Sequence, residues 1–391
     1  MEIVWLAKRN LDASIDRITW IEMALQLKSK GHKVYLVTTS KKDKPSFGLD
    51  GSIEYLPASK IRIISFLTSI PLYFFFICYR LYKKKPHVVI FHPDAIFAVL
   101  PFVLLRKLQV IHTRLVLDIR TVQVEVFGVR EKIKEGLVNS SVAFSKFLFD
   151  GLTVITPFMR KVFSEKYDLK HNDIGVWSSG VSLDVFNPKL IDDSMKGELL
   201  QSLNLKNKFI IMYHGVFTPS RGLNRLIEAI NLLRKIYPDL VLLLLGNGND
   251  RINLEKLVDS LSLHERVTIK GPVPHASVPS YIALADVGIL PFPSLLWWRV
   301  SSPIKLMEYL AMEKPVILSE IEAHRDVIGS SRCGFFVKSN QPEELAKGIS
   351  LAYKNRKNLI ELGKEGRTIV EERFTWEKQA DVLDKYLKDV C

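Results

Sequence analysis

Cysteine is nearly missing from this 391-residue chain: Cys78, Cys333 and Cys391 are the only three, and no two are neighbours. An odd, scattered set builds neither a disulfide framework nor a metal-ligand spacing, so the expected setting is a reducing, cytoplasmic one. Also missing is any Asp-x-Asp pair to hold a divalent cation. No metal requirement and no bound cofactor are expected. No uncharged run reaches the roughly 20 residues that a membrane-crossing helix normally needs. Met1 leads straight into apolar residues 3–6 without the basic start and cleavage site of a secretory leader, and none is expected. Low-complexity tracts and internal repeats are absent as well.

What remains is a globular composition, with 47% hydrophobic and 25% charged residues, in a chain long enough for two α/β domains. The net charge of +13 is uneven. Through residue 190 there are 28 Lys and Arg against 17 Asp and Glu, and beyond it 27 against 25. A basic first half faces something anionic: nucleic acid, acidic lipid or a phosphorylated acceptor. A basic proteome gives the same bias without any partner.

Short β-branched runs alternate with amphipathic ones. Residues 3–6, 33–37, 88–91, 115–118, 153–155 and 174–177 read as strands, with helices at 15–28 and 94–107 among them. The pattern lapses around 184–208, at Pro188, and restarts with strands at 209–213, 240–245, 267–269, 287–290 and 316–318. Helices are expected at 341–354, 357–372 and 376–390. Strands separated by helices imply parallel sheets with right-handed crossovers. The predicted division is 1–185, 186–375 and a last helix at 376–391.

Residues 63–79 stand apart, 17 residues without a charge that include Phe66, Phe74, Phe75 and Phe76, followed by Arg80, Lys83, Lys84 and Lys85. A buried helix, an interfacial membrane helix and a true span all compete for this segment. Aromatics beside a cationic cluster favour the interface over the span.

Chemistry-bearing residues gather at strand ends of the second half. Ser301-Ser302-Pro303 reads as a helix start, with Ser302 as N-cap and Pro303 in first position, and its free N–H groups suit a diphosphate. Glu308 follows Lys305 by three residues, at a height where its carboxylate can accept hydroxyl hydrogen bonds. A capped helix with an exposed Lys305–Glu308 pair is the plainer reading. Arg221 lies just after the strand end Tyr213-His214-Gly215-Val216, where a fixed cation meets phosphate. Gly246-Asn247-Gly248 and Lys270-Gly271-Pro272-Val273-Pro274-His275 supply two further turns, each weak alone. Trp297 and Trp298 could stack on a sugar or simply cover the loop.

In this order the pieces resemble the family 4 type of retaining glycosyltransferases. The likeness implies the GT-B fold, an α/β architecture of two Rossmann-like parallel-sheet domains facing an interdomain cleft. Gly180 to Pro188 resembles that family's interdomain signature, and Ser302 to Tyr309 its donor-binding helix. The resemblance implies that Arg221 holds the donor diphosphate at the Gly215–Gly222 turn and that Glu308 binds ribose hydroxyls. It places the base beside the backbone of Gly271 and Val273, with Gly246, Gly248, Ser301, Ser302 and Lys305 completing the donor site. The last helix, led by Trp376, would cross back onto the first domain.

Three departures stand out. Val300 occupies the site where many members carry a first glutamate, and Val216 the site of a second phosphate-binding Arg. Lys8-Arg9-Asn10-Leu11-Asp12 replaces the usual Gly-rich loop, and Lys8 or Arg9 could supply the missing cation. On the acceptor side the candidates are His92, Asp94, Asp118 and Arg120, with a catalytic role considered for the last two. An ordinary ion pair is the alternative for Asp118 and Arg120.

The implied reaction moves a sugar from a nucleotide-sugar donor to a glycan or lipid-linked acceptor, in cell-surface polysaccharide, glycolipid or glycoprotein synthesis. An anionic membrane surface is the expected partner, with peripheral attachment at the inner face of the membrane, and nucleic acid is not expected. The rivals are a nucleotide-sugar 2-epimerase of the same fold and a degenerate subunit without activity.

Overall fold

In the computed structural model, residues 1–7, 17–40, 53–57, 62–122 and 129–391 are described. Lys8 and Arg9 lie outside them. The chain forms two compact units, Met1–Ser179 with Trp376–Cys391, and Gly180–Thr375.

The first unit is a parallel seven-stranded sheet. Its strands are β1 (Glu2–Leu6), β2 (Lys33–Ser40), β3 (Ile53–Pro57), β4 (Val88–Phe91), β5 (Arg114–Ile119), β6 (Gly151–Val154) and β7 (Ile174–Val176). Their order is β3-β2-β1-β4-β5-β6-β7. The central strands are continuous apolar runs, as a sheet covered on both faces requires, and β1 and β4 are buried throughout. Trp5, Trp20 and Trp177 meet edge to face, with ring centroids 5.2 and 5.7 Å apart, at the centre of this core. The Trp376–Val390 helix packs here beside the Arg17–Ser29 helix. Its Asp384 meets buried His32 at 2.8 Å.

The second unit is a parallel six-stranded sheet of β8 (Phe209–Val216), β9 (Leu240–Asn247), β10 (Val267–Lys270), β11 (Val287–Leu290), β12 (Val316–Ser319) and β13 (Gly334–Val337). The order is β10-β9-β8-β11-β12-β13.

Two strands escape the sequence reading, β3 and β13. Both are edge strands whose residues are mostly half-buried, so the apolar signal that marks the inner strands is weak in them. The first unit ends six residues before the expected break at 185. Val181 N–H donates to Phe374 O at 2.9 Å, and Phe186 is buried in the second unit's core, which together draw the turn into that unit. Residues 63–79 fall in one helix, Arg62–Lys84, with Pro71 inside it. Among the described residues no helix is long and apolar enough to cross a membrane.

One contact fixes the helix that will matter below. The Leu359–Arg373 helix packs against the Ile304–Ala311 helix, and a Cβ on Gly363 would lie 1.9 Å from Glu313 O. A carbonyl oxygen on the backbone cannot swing aside as a side chain can. Gly363→Ala is therefore expected to destabilise the protein by about 1–3 kcal/mol despite alanine's better helix propensity. A denaturant midpoint at or above the parent's contradicts this.

Candidate nucleotide-sugar site

β8 and β11 are hydrogen-bonded neighbours although far apart in sequence, so strand order reverses between them. Such a reversal leaves a crevice beyond the carboxyl ends of the strands, where open α/β sheets take their ligands. The chain leaving β8 carries Gly215 and Val216, and the chain leaving β11 carries Pro291 and Phe292. The backbones close tightly here. Gly246, at the end of β9, has φ +148°, and a Cβ on it would stand 1.9 Å from Gly215 O. Only glycine fits that approach.

The Ile304–Ala311 helix is locked onto this end of the sheet by Tyr309. Its hydroxyl donates to Met212 O at 2.9 Å and accepts from His214 N–H at 3.0 Å. Its ring lies against Gly288, where a Cβ would sit 2.6 Å away. The helix begins one residue later than expected, with Pro303 as its cap residue and no side-chain cap bond. Ser302 is therefore not the N-cap. Ser301 turns back instead, donating from Oγ to Trp298 O at 2.8 Å.

Glu308 is only 5% exposed, and its two oxygens face two imidazoles. Oε1 lies 3.2 Å from His275 Nε2 and Oε2 lies 3.3 Å from His214 Nε2. The His214 approach has the distance of an ion pair but not hydrogen-bond alignment. Burial pushes the Glu308 carboxyl up. The His275 hydrogen bond and the surrounding His214, His275 and Lys305 outweigh it, and the carboxyl is held below its ordinary range. Burial lowers His214 to about 4, further than nearby Glu308 can restore, so it is a neutral imidazole at neutral pH. The exposed Lys305–Glu308 surface pair of the plainer reading is not found.

Two cations, Arg221 and Lys305, belong to the same cluster of charges. Arg221 ends the Pro219–Arg221 turn, which Gly222 closes at φ +72°. Its guanidinium carbon lies 4.7 Å from the Trp298 ring centre and 5.5 Å from that of Phe292. Trp298 and Phe292 are themselves stacked at 4.6 Å. The Trp298 indole N–H donates to Ser220 O at 2.8 Å, which ties the Leu296–Arg299 helical turn to the arginine's own turn. Arg221 Nε is buried without a hydrogen-bond partner. Lys305 Nζ lies 5.7 Å from the Tyr213 and Phe292 ring centres. It reaches the Gly215 turn, where a Cβ would stand 3.3 Å from the ammonium. Burial, then the Arg221 charge, lower Lys305 to about 7, with Glu308 opposing.

The sequence reading thus named Arg221, Lys305, Glu308, Gly215 and Gly246, and the structure brings them to one sheet end. It missed His214 and His275 as partners of Glu308, although both residues lie within turns it singled out. It also left Trp298 undecided, and that ring is the platform for Arg221. Val300 is a buried apolar residue, 2% exposed. Gly248 follows β9, and a Cβ on it would collide with Phe217 O. Gly271 and Val273, half-buried, follow β10 and lead to His275.

In the first unit the expected acceptor residues turn inward. Asp118, at the end of β5, is fully buried, and its Oδ1 accepts from Thr153 Oγ1 at 2.7 Å and Trp177 Nε1 at 3.1 Å. Burial raises its carboxyl pKa, opposed by Arg120. Arg120 donates to Trp177 O at 2.6 Å and lies flat over that indole, 3.4 Å from its centre. Both residues are buried and hold Trp177. His92 Nδ1 accepts from Asp94 N–H at 3.2 Å and caps the turn after β4.

Known proteins resemble the chain in fold and in sequence. In architecture the chain matches Anabaena Alr3699/HepE in complex with UDP, with a TM-score of 0.77 over the whole of both chains at 14% identity. Alpha-D-kanosaminyltransferase of Streptomyces kanamyceticus is 26% identical over 159 residues, which are 40% of this chain and 39% of that one. GDP-mannose-dependent alpha-(1-6)-phosphatidylinositol monomannoside mannosyltransferase of Mycobacterium tuberculosis is 22% identical over 241 residues, 61% of this chain and 62% of that one. The chain spans about two fifths to three fifths of the length of the curated relatives it matches. The model described as glycosyl transferases group 1 matches residues 196–389. Over that second half, the chain is similar to the glycosyl transferases group 1 family.

Proposed function

We propose that this protein is a retaining glycosyltransferase that moves a sugar from a nucleotide-sugar donor to a glycan or lipid-linked acceptor. The observation that carries the reading is the pair Arg221 and Lys305, converging on Phe292 and the Gly215 turn where strand order reverses. Two cations held on aromatic rings, with a nearby carboxylate already engaged by histidine, suit a diphosphate. The UDP held by the similar Anabaena protein is consistent with that ligand class.

In this reading the bond from the sugar's anomeric carbon to the donor phosphate oxygen breaks and one to the acceptor hydroxyl forms on the same face. The departing phosphate oxygen takes the hydroxyl proton. Arg221 stabilises the charge that grows on the diphosphate, and Trp298 keeps the guanidinium in place. Lys305 adds a second positive charge, where Val216 offers none. Glu308, still ionised and with lone pairs beyond those facing the two histidines, accepts the ribose hydroxyls. No metal takes part in this scheme. The acceptor is lipid-linked, as in the phosphatidylinositol-modifying relative, and the chain attaches peripherally to the inner face of the membrane through residues 63–85.

The first experiment is transfer and hydrolysis with a panel of nucleotide sugars and membrane lipid extract. Sugar incorporated into lipid from one donor supports the reading. A new epimer formed from donor alone replaces it with the 2-epimerase, and nucleotide binding without turnover replaces it with a subunit that only binds. Within an active protein, Arg221→Ala is expected to lower turnover by about 10²–10³-fold with unchanged circular dichroism. Near-parental turnover removes Arg221 from this role.

The lysine makes a separate pH prediction. With its pKa at about 7 rather than the 10.5 of an ordinary lysine, Lys305 loses its charge as pH rises through neutrality. A bound diphosphate favours the protonated form, so affinity carries a lysine contribution that is present below about pH 7 and fades above it. Lys305→Arg stays charged throughout. Calorimetry at about pH 6 and about pH 8 should show the parent weakening relative to that variant by up to about tenfold. Parallel profiles in the two proteins rule out the titration.

A further inference from the structure

We infer that the Arg62–Lys84 and Ile96–Lys107 helices together form a two-helix plate that lies on an anionic bilayer surface. This rests on the membrane attachment proposed above and extends it from residues 63–85 to a second helix, which the sequence reading placed at 94–107 without giving it a role.

The topology puts the two helices side by side. The crossover from β3 to β4 returns over the sheet, while that from β4 to β5 runs onward to the next strand. Right-handed crossovers place both helices on the same face, opposite the Arg17–Ser29 helix. Phe74 of one and Phe102 of the other meet with ring centres 5.3 Å apart. Both helices run against the direction of the strands, so both end at the amino edge of the sheet.

Each helix buries one line of residues and exposes another that is just as apolar. In the first, Ser69, Tyr73 and Ile77 are buried, four residues apart, and Tyr73 donates to Ala7 O. The opposite line is Ile64, Leu67, Phe75, Tyr79 and Tyr82, with Phe75 66% and Tyr82 83% exposed. It extends about 27 Å at 1.5 Å per residue. In the second helix Ala98, Val99 and Phe102 face inward. Phe97, Leu100, Leu104 and Leu108 face outward at spacings of three and four, Leu104 at 60% and Leu108 at 63% exposed. A helix whose outer face met only water would carry polar residues there. Adjoining apolar stripes of this extent mark an interaction surface.

Charge selects the occupant. From Ile64 to Val110 the sequence has one carboxylate, Asp94, against Arg80, Lys83, Lys84, Lys85, Arg106 and Lys107. Arg80 pairs with Glu54, and Arg106 with Asp150. Lys83, Lys85 and Lys107 are exposed at the ends of the two helices, beside Tyr82 and Leu108. A second copy of this chain would bring these lysines against themselves. Nucleic acid matches the cations but not the leucine stripe. A bilayer matches both, with apolar side chains at the headgroup boundary and lysines among lipid phosphates.

The test is flotation of the full chain with vesicles of phosphatidylcholine, with and without phosphatidylglycerol. Binding is expected only to the anionic vesicles and should weaken with added salt. The double substitution Leu104→Glu and Leu108→Glu lies on exposed positions and should leave thermal unfolding and nucleoside diphosphate binding unchanged. It is expected to cut vesicle binding by about tenfold or more. Parental flotation by that variant removes the second helix from the surface. Failure of the parent to float, or a parental dimer that the variant converts to monomer without vesicle binding, overturns the proposal. Flotation needs no turnover, so a protein that binds vesicles yet transfers no sugar keeps this inference and loses the transferase reading.

Discussion

Glu308 carries its carboxylate 5% exposed on the inner side of a two-turn helix. An ion so placed costs several kcal/mol unless its lone pairs find partners. His275, in the turn after β10, hydrogen-bonds one oxygen, and neutral His214, near the end of β8, lies 3.3 Å from the other, so three separate segments converge on the helix. The rest of the site's electrostatics follows. With one carboxylate shared among two imidazoles and Lys305, little negative charge is left for Arg221. That side chain rests on Trp298 and Phe292, aromatic faces that hold a cation without neutralising it. Positive charge held by aromatics rather than by a carboxylate remains available to an incoming anion.

The same helix explains why the site lies at this sheet end. Tyr309 joins it to the backbone of β8 at Met212 and His214, and Gly288 gives its ring room beside β11. Gly363 lets the Leu359–Arg373 helix close against the turn that follows it. Glu308 and Tyr309 are consecutive, so the side chain that anchors the helix and the one that faces the histidines turn with a single backbone segment. A shift of this helix displaces both together, and ordinary packing thereby sets the site's geometry.

Much of this was legible in the sequence. Alternating apolar runs gave the inner strands and the parallel class, because a strand buried on both faces is marked by continuous Val, Ile and Leu. Arg221, Lys305 and Glu308 were legible because strand-end turns are few and the chemistry is concentrated in them. The partners of Glu308 were not. Nothing local distinguishes His214 or His275 from a histidine facing solvent, since their common neighbour lies 94 and 33 residues away. Trp298 was ambiguous for the same reason: its role depends on Ser220, 78 residues earlier. Asp118 and Arg120 misled because polar residues at a strand end suggest a site, and only the tertiary position of Trp177 shows them to be internal. The edge strands β3 and β13 were lost to half-burial.

A contrast between the units follows from where their charges go. In the first unit the polar residues after β4 and at the end of β5 turn to internal partners, His92 to Asp94, and Asp118 and Arg120 to Trp177. In the second, Arg221 and Lys305 meet aromatic faces and a shared carboxylate. The excess positive charge of the first half is therefore not a donor-site feature. Six of those eleven excess charges fall within residues 62–110, the segment that carries the two apolar helix faces, where burying them in protein would be costly and leaving them in water would not explain the exposed leucines. Charge and apolar surface set side by side in one layer are best satisfied together by a medium that is itself apolar beneath an anionic boundary. The second unit places charge at a point, on a guanidinium held by aromatic rings, whereas the first spreads it along two helix ends beside apolar surface.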